Sequence, residues 1–305
     1  MGRDEDQRGG GAAGTDPVPA ELYAHPDGGW LYVGEPHGVL RVPLGEDGRP
    51  EAPAEWTPGV RPFGVAVDAE GACLYTADPS GGRLLWHVLD GGGRPLRGAG
   101  WRTFTPAGAA PEGALAAHPA LPCLYVAHGA GPVPVSRVPL DADGGPGEGG
   151  PAVEWARTAP PPHPGLAVHP DGTLLYVGDP GGRAVHVFAL DAEGRARGGG
   201  PVRTRETGAA PGPLAVHPAG ACLYFAERVT GAVFRDALAA GGLPHTGGAP
   251  EPVPGFAAPD RTGLAVHPGG GYLYASTATA LTVTELDPPT GLPVGRPVTL
   301  ALPRR

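Results

Sequence analysis

The sequence has no lysine, no asparagine and no isoleucine, and only three serines and three cysteines in 305 residues. Without lysine there is no Schiff base and no amine nucleophile. The serines, Ser80, Ser136 and Ser276, stand in no nucleophile elbow. Covalent catalysis is therefore the least favoured chemistry. Positive charge is scarce, and the formal net charge of −9 argues against a nucleic-acid partner, which would need a basic surface. No run of 18 apolar residues offers a membrane span. No glycine-rich loop leads into a helical pattern, so no dinucleotide or phosphate cradle is expected. Residues 1–20 are polar and glycine-rich and lack the apolar centre of a signal peptide. They are expected to form a disordered tail ahead of one domain over 21–305.

What the chain does have is glycine and proline, 54 and 41 residues of them, beside a 41% hydrophobic content. Both fall at regular intervals. A Leu-Tyr pair recurs at Leu31-Tyr32, Leu74-Tyr75, Leu124-Tyr125, Leu175-Tyr176, Leu223-Tyr224 and Leu273-Tyr274, in steps of 43 to 51 residues. A period of that size points to a propeller or a solenoid. Each copy carries a short apolar run ending in most cases in His-Pro, a turn, the Leu-Tyr strand and a second turn. A third strand ends in Leu-Asp in four of them, and a looser fourth strand closes the unit. Short strands between Gly, Pro and Asp turns are an all-β signature. Four antiparallel strands per period predict a β-propeller blade. Six copies predict six blades, with seven as the alternative if one is degenerate; how the ring closes is left open.

The three cysteines, Cys73, Cys123 and Cys222, each precede a Leu-Tyr pair, where other copies have Trp30, Leu174 and Tyr272. They read as core residues with no disulfide, which suits a cytoplasmic protein. The histidines of the His-Pro pairs, His25, His118, His169, His217 and His267, read as hydrogen-bonded turn residues.

Three stretches carry a resemblance: Arg61-Pro62-Phe63-Gly64-Val65-Ala66-Val67, His169-Pro170-Asp171-Gly172 with Leu175-Tyr176-Val177, and Val185-His186-Val187-Phe188-Ala189-Leu190-Asp191. They resemble the YVTN-type repeats of the lactonase family, which includes the 6-phosphogluconolactonase-like propellers. The likeness runs from about Glu21 to the C-terminus. It implies a propeller fold, of seven blades in that family, and a lactonase-like activity on a small polar molecule. The number of blades alone is also similar to the regucalcin, gluconolactonase and strictosidine-synthase group.

Strand directions place the candidate chemistry. The start of each first strand and the end of each second strand lie on one face, beside the central channel. Three residues after each Tyr stand Glu35, Asp78, His128, Asp179, Glu227 and Thr277. Two residues before the start of three first strands stand Glu112, His163 and Arg261, and Glu21 opens the first blade. Converging carboxylates raise one another's pKa or recruit a cation. Glu35, Asp78, Asp179 and Glu227 are thus candidate ligands for one divalent cation, Ca²⁺ or a transition metal. His128, Glu112 and His163 are candidate acids and bases, and Arg261 a candidate clamp for an anionic substrate group. The same acids also read as turn residues capping their own backbone, as in Asp78-Pro79-Ser80-Gly81 and Asp179-Pro180-Gly181-Gly182. The expected function is lactone hydrolysis, or a related cyclisation or isomerisation, by acid–base or metal-assisted chemistry. The alternative is a non-catalytic propeller that binds a protein or a small ligand.

Overall fold

The computed structural model describes residues 21–35, 38–51, 54–58, 64–79, 81–96, 100–105, 111, 113–128, 134–153, 164–256, 263–277 and 279–303. Six four-stranded antiparallel sheets follow one another along the chain, at 22–58, 65–104, 115–153, 166–206, 211–252 and 263–301. They are numbered here as blades 1 to 6. In blade 4 the strands are Leu166–Val168, Leu174–Asp179, Ala184–Ala189 and Arg203–Glu206, paired in that order. The first strands of successive blades lie side by side, and that of blade 6 returns to that of blade 1. The six repeats are therefore six blades of a β-propeller, as the periodicity predicts.

The Leu-Tyr strand is the buried heart of each blade. Its Leu points to one face and its Tyr to the other, since side chains alternate along a strand. A blade has a neighbour on both faces, so both residues are covered. All six of these tyrosines are fully buried. The apolar clusters accordingly straddle blade boundaries. One joins Leu31 and Leu40 of blade 1 to Tyr274 and Leu281 of blade 6, and another joins Tyr125 and Val135 of blade 3 to Leu175 and Phe188 of blade 4.

A buried phenol needs a hydrogen-bond partner. Each Tyr hydroxyl donates to a glycine carbonyl in the turn after the third strand of the next blade. The bonds are Tyr32 to Gly93 (2.6 Å), Tyr75 to Gly144 (2.7 Å), Tyr125 to Gly194 (2.8 Å), Tyr176 to Gly242 (2.5 Å), Tyr224 to Gly291, and Tyr274 to Gly48 (2.5 Å). In four of the blades the Leu-Asp motif builds the receiving turn. Asp141, for example, accepts the amides of Asp143 (3.0 Å) and Gly145 (2.6 Å). Gly144 in that turn has φ 75°, and a Cβ there would lie 2.3 Å from Cys73 Sγ. Only glycine supplies both the left-handed backbone and the clearance.

The His-Pro histidines serve their turns and also reach outward. Their Nδ1 atoms accept turn amides, as His118 does from Ala120 (3.0 Å) and Leu121 (2.9 Å). The Nε2 of His25, His118, His217 and His267 meets the carbonyl of Gly71, Gly172, Gly270 and Gly28 in the next blade, at 3.0–3.2 Å. Ring closure reuses these devices. Among the described residues each blade is built from one continuous stretch of chain. Blade 6 is held to blade 1 by the Tyr274–Gly48 and His267–Gly28 bonds, by Arg49 Nη2 on Glu285 Oε1 at 2.9 Å, and by the shared apolar cluster. The three cysteines are buried and free.

Candidate functional site

The channel at the centre of the ring is lined by the first strands. Its lining side chains are mostly apolar, among them Leu22, Leu115, Leu166, Leu214 and Leu264. Its backbone is not. The Glu21 carbonyl accepts Gly34 N (2.8 Å) and His25 N donates to Trp30 O (2.8 Å), so residues 21, 23 and 25 bond to the second strand. In an antiparallel pair the alternate residues, Leu22 and Ala24, turn their N–H and C=O the other way. That way is into the channel. The cavity measures about 210 Å³, below the roughly 300–1,000 Å³ of ordinary small-ligand pockets. A sugar-sized molecule would therefore sit at the mouth.

Among the described residues one carboxylate enters this channel. Five blades have a small residue at the position that opens the first strand: Gly64, Ala114, Gly165, Pro213 and Gly263. Blade 1 has Glu21. A side chain there points at the neighbouring blade; a Cβ on Gly64 would meet Gly113 O at 2.8 Å and Leu115 N at 3.0 Å. Glu21 extends along this direction, and its Oε2 accepts Val65 N of blade 2 at 3.3 Å. The Leu115 amide of blade 3 also acts on this carboxylate, lowering its pKa. The side chain keeps some accessible surface, but the space it reaches is the narrow channel and not bulk solvent. Burial pushes its pKa up to about 8, against the lowering effect of the two amides. At neutral pH Glu21 is mostly a neutral acid.

The ring of second-strand ends is turned away from such a role. Asp78 is buried, with Oδ2 on Arg83 Nε (2.9 Å) and Oδ1 on Gly81 N (3.1 Å). Asp179 is buried, with Oδ1 on Gly182 N (2.9 Å) and Oδ2 3.4 Å from His186 Nε2. Glu227 accepts Thr230 N (2.7 Å) and its hydroxyl (2.5 Å), and those bonds outweigh burial to hold its pKa low. Thr277 accepts Ala280 N at 3.0 Å. His128 lies buried with Nε2 2.8 Å from Ser136 Oγ. Glu35 is partly buried, which raises its pKa. The turn reading of Asp78, Asp179 and Glu227 is thus the one their hydrogen bonds express. Among the described residues no three His, Cys, Asp or Glu side chains are grouped to hold a metal ion. Glu35, Asp78, Asp179 and Glu227 are not assembled as ligands there. Glu112, His163 and Arg261 lie outside the described residues.

The residues also offer one cation that the ring positions did not single out. Arg228 follows Glu227, and its stem lies over Gly212, near the start of the first strand of blade 5. Partial enclosure lowers its pKa.

No family model matches the chain, and no curated protein matches its sequence. Solved structures do match its shape. A chain in the crystal structure of a nidogen/laminin complex has a TM-score of 0.63 at 14% identity, over 84% of this chain and 89% of that one. A putative 6-phosphogluconolactonase from Bacteroides uniformis has a TM-score of 0.60 at 18% identity, over 93% and 85%. A periplasmic gluconolactonase from Pseudomonas aeruginosa has 0.58 at 17%, over 93% and 85%. These likenesses establish the fold alone.

Proposed function

We propose that this chain is a lactonase-like propeller enzyme acting on a small polar molecule at the mouth of its central channel. The observation that carries this reading is the position of Glu21, a carboxyl enclosed in the channel with Oε2 on Val65 N at 3.3 Å, where burial raises its pKa to about 8. A general acid or base is most effective when its pKa lies near the pH of operation. In lactone hydrolysis Glu21 in its ionised fraction takes a proton from the attacking water. Its neutral form then returns that proton to the ring oxygen as the C–O bond breaks. Run backwards, the same proton transfers close a ring, so cyclisation belongs to the same proposal. Backbone N–H groups directed into the channel suit the oxyanion that forms at the carbonyl. His128, paired with Ser136, is the second candidate base. The buried free cysteines suit a reducing compartment such as the cytoplasm.

The test is a panel of sugar lactones, glucono-δ-lactone and 6-phosphogluconolactone among them, with ring opening followed by proton release. Runs with EDTA and with added Ca²⁺ or Zn²⁺ read out any metal assistance. Turnover above the spontaneous rate that falls at least about 100-fold in Glu21→Gln supports the reading, as expected for loss of a general acid–base. Turnover by the Glu21→Gln protein at the original rate refutes it. A non-catalytic propeller that binds a ligand or protein is the second reading, favoured by the nidogen/laminin likeness and by the turn bonds of Asp78, Asp179 and Glu227. It is the reading left if no lactone is turned over.

A further inference from the structure

At one boundary both residues of the His-to-glycine clamp between blades are replaced. Blade 2 has Asp68 where five blades have the histidine, and blade 3 has Leu121 where five blades have the receiving glycine. Both changes fall on the boundary between blades 2 and 3. Asp68 turns back into its own turn, where Oδ1 accepts Ala72 N (2.7 Å) and Cys73 N (3.2 Å). Leu121 is held by His118 of its own blade. A cavity of about 850 Å³ opens beside these residues, on the face away from the channel mouth discussed above. That volume falls within the roughly 300–1,000 Å³ of small-molecule pockets.

The walls of the cavity have two characters. Cys73, Val88, Leu121, Pro122, Cys123 and Leu140 make an apolar floor. Asp68, Glu70, Asp141 and Asp143 stand around it, with Arg102 as the cation of the lining. The Arg102 guanidinium lies over the Trp86 ring, 4.6 Å from its centroid. The carboxylates are distributed around the cavity and form no group suited to a metal ion among the described residues. An apolar floor selects a ligand with an apolar body, and a ring of separated negative charges selects a positive end.

We propose that the cavity between blades 2 and 3 is a binding site for a small organic cation, an amine or guanidinium carried on an apolar body. It is separate from the channel and does not depend on the lactonase reading. Calorimetric titration of the whole chain with tryptamine, 2-phenylethylamine and arginine ethyl ester tests it, with tryptophol and 2-phenylethanol as neutral matches. The amines are expected to bind at least about 10-fold more tightly than the alcohols, which corresponds to about 1.4 kcal/mol. Glu70→Gln with Asp143→Asn is expected to weaken amine binding about 10-fold. Asp68→His with Leu121→Gly, which rewrites the boundary in the form of the other blades, is expected to abolish it while leaving circular dichroism unchanged. The proposal is overturned if no cation binds below about 1 mM, if alcohols bind as well as amines, or if the Glu70→Gln, Asp143→Asn protein binds unchanged. Should the rewritten boundary misfold, the charge variants still decide the outcome.

Discussion

Replacing Tyr176 by Phe removes one oxygen from the seam between blades 4 and 5. The ring stays, so the apolar contacts in the cluster with Val185, Leu214 and Phe225 are retained. What goes is the 2.5 Å bond to the Gly242 carbonyl, in a place where Tyr176 has no exposed surface. A buried neutral hydrogen bond contributes about 0.5–1.5 kcal/mol net, and an acceptor left without a partner costs about 1–3 kcal/mol. A loss of about 1–3 kcal/mol is therefore expected, or roughly 2–5 °C in Tm for a chain of this size. Equilibrium urea unfolding followed by circular dichroism and by tryptophan fluorescence measures it. Because the other five boundaries carry the same bond, Tyr75→Phe should cost a similar amount. Tyr75 and Tyr176 share no partner, so the double variant should lose the sum of the two within about 0.5 kcal/mol. A Tyr176→Phe protein as stable as the parent would show that the phenol does not lock the blades together, and the interlocking of motifs described above would fail.

Further outcomes follow from individual positions. Gly144→Ala is expected to destabilise by more than about 1 kcal/mol, since it adds a Cβ at φ 75° and 2.3 Å from Cys73 Sγ; chemical denaturation against Gly199→Ala, where the space is open, is the control. Burial pushes the Cys73 thiol up to about 11 and raises those of Cys123 and Cys222. Alkylation by iodoacetamide at pH 8 should thus be slow in the folded protein and prompt in 6 M guanidinium. The raised pKa of Glu21 links to stability with a definite sign. The folded state holds the proton more tightly than the unfolded chain, so stability is fully present below about pH 4.5 and is lost as pH rises towards 8. The loss is on the order of 3–5 kcal/mol, and Glu21→Gln should flatten that part of the stability curve.

The architecture was legible because a propeller writes its geometry as a period. Leu-Tyr recurs in all six blades, His-Pro in five and Leu-Asp in four, and each proves to be a part of the boundary between blades. What the residues of one repeat could not reveal is which atom of the next repeat they meet. His118 reads as a turn residue, and it is one; that its Nε2 reaches Gly172 depends on how blades stack, which no local pattern encodes. The candidate site was legible only in part for the same reason. Asp78 and Asp179 share a ring position, but Gly81 and Gly182 in their own turns compete for the carboxylate oxygens. Glu21 carried the more telling signal, a long acidic side chain where the other blades have Gly, Ala or Pro. Its significance depends on the direction of its Cβ towards blade 2, which appears only when the ring is closed.

The chemistry proposed for the channel depends on the protonation of a single carboxyl at the centre of the ring. Carbon-detected NMR titration of the side-chain carboxyls, with the Glu21 resonance assigned by its disappearance in Glu21→Gln, measures it directly. The structure requires that resonance to titrate at about 8. Titration near 4.5, the ordinary value for a glutamate, would mean that the channel is open to bulk water, and the acid placed there would have no special chemistry to offer.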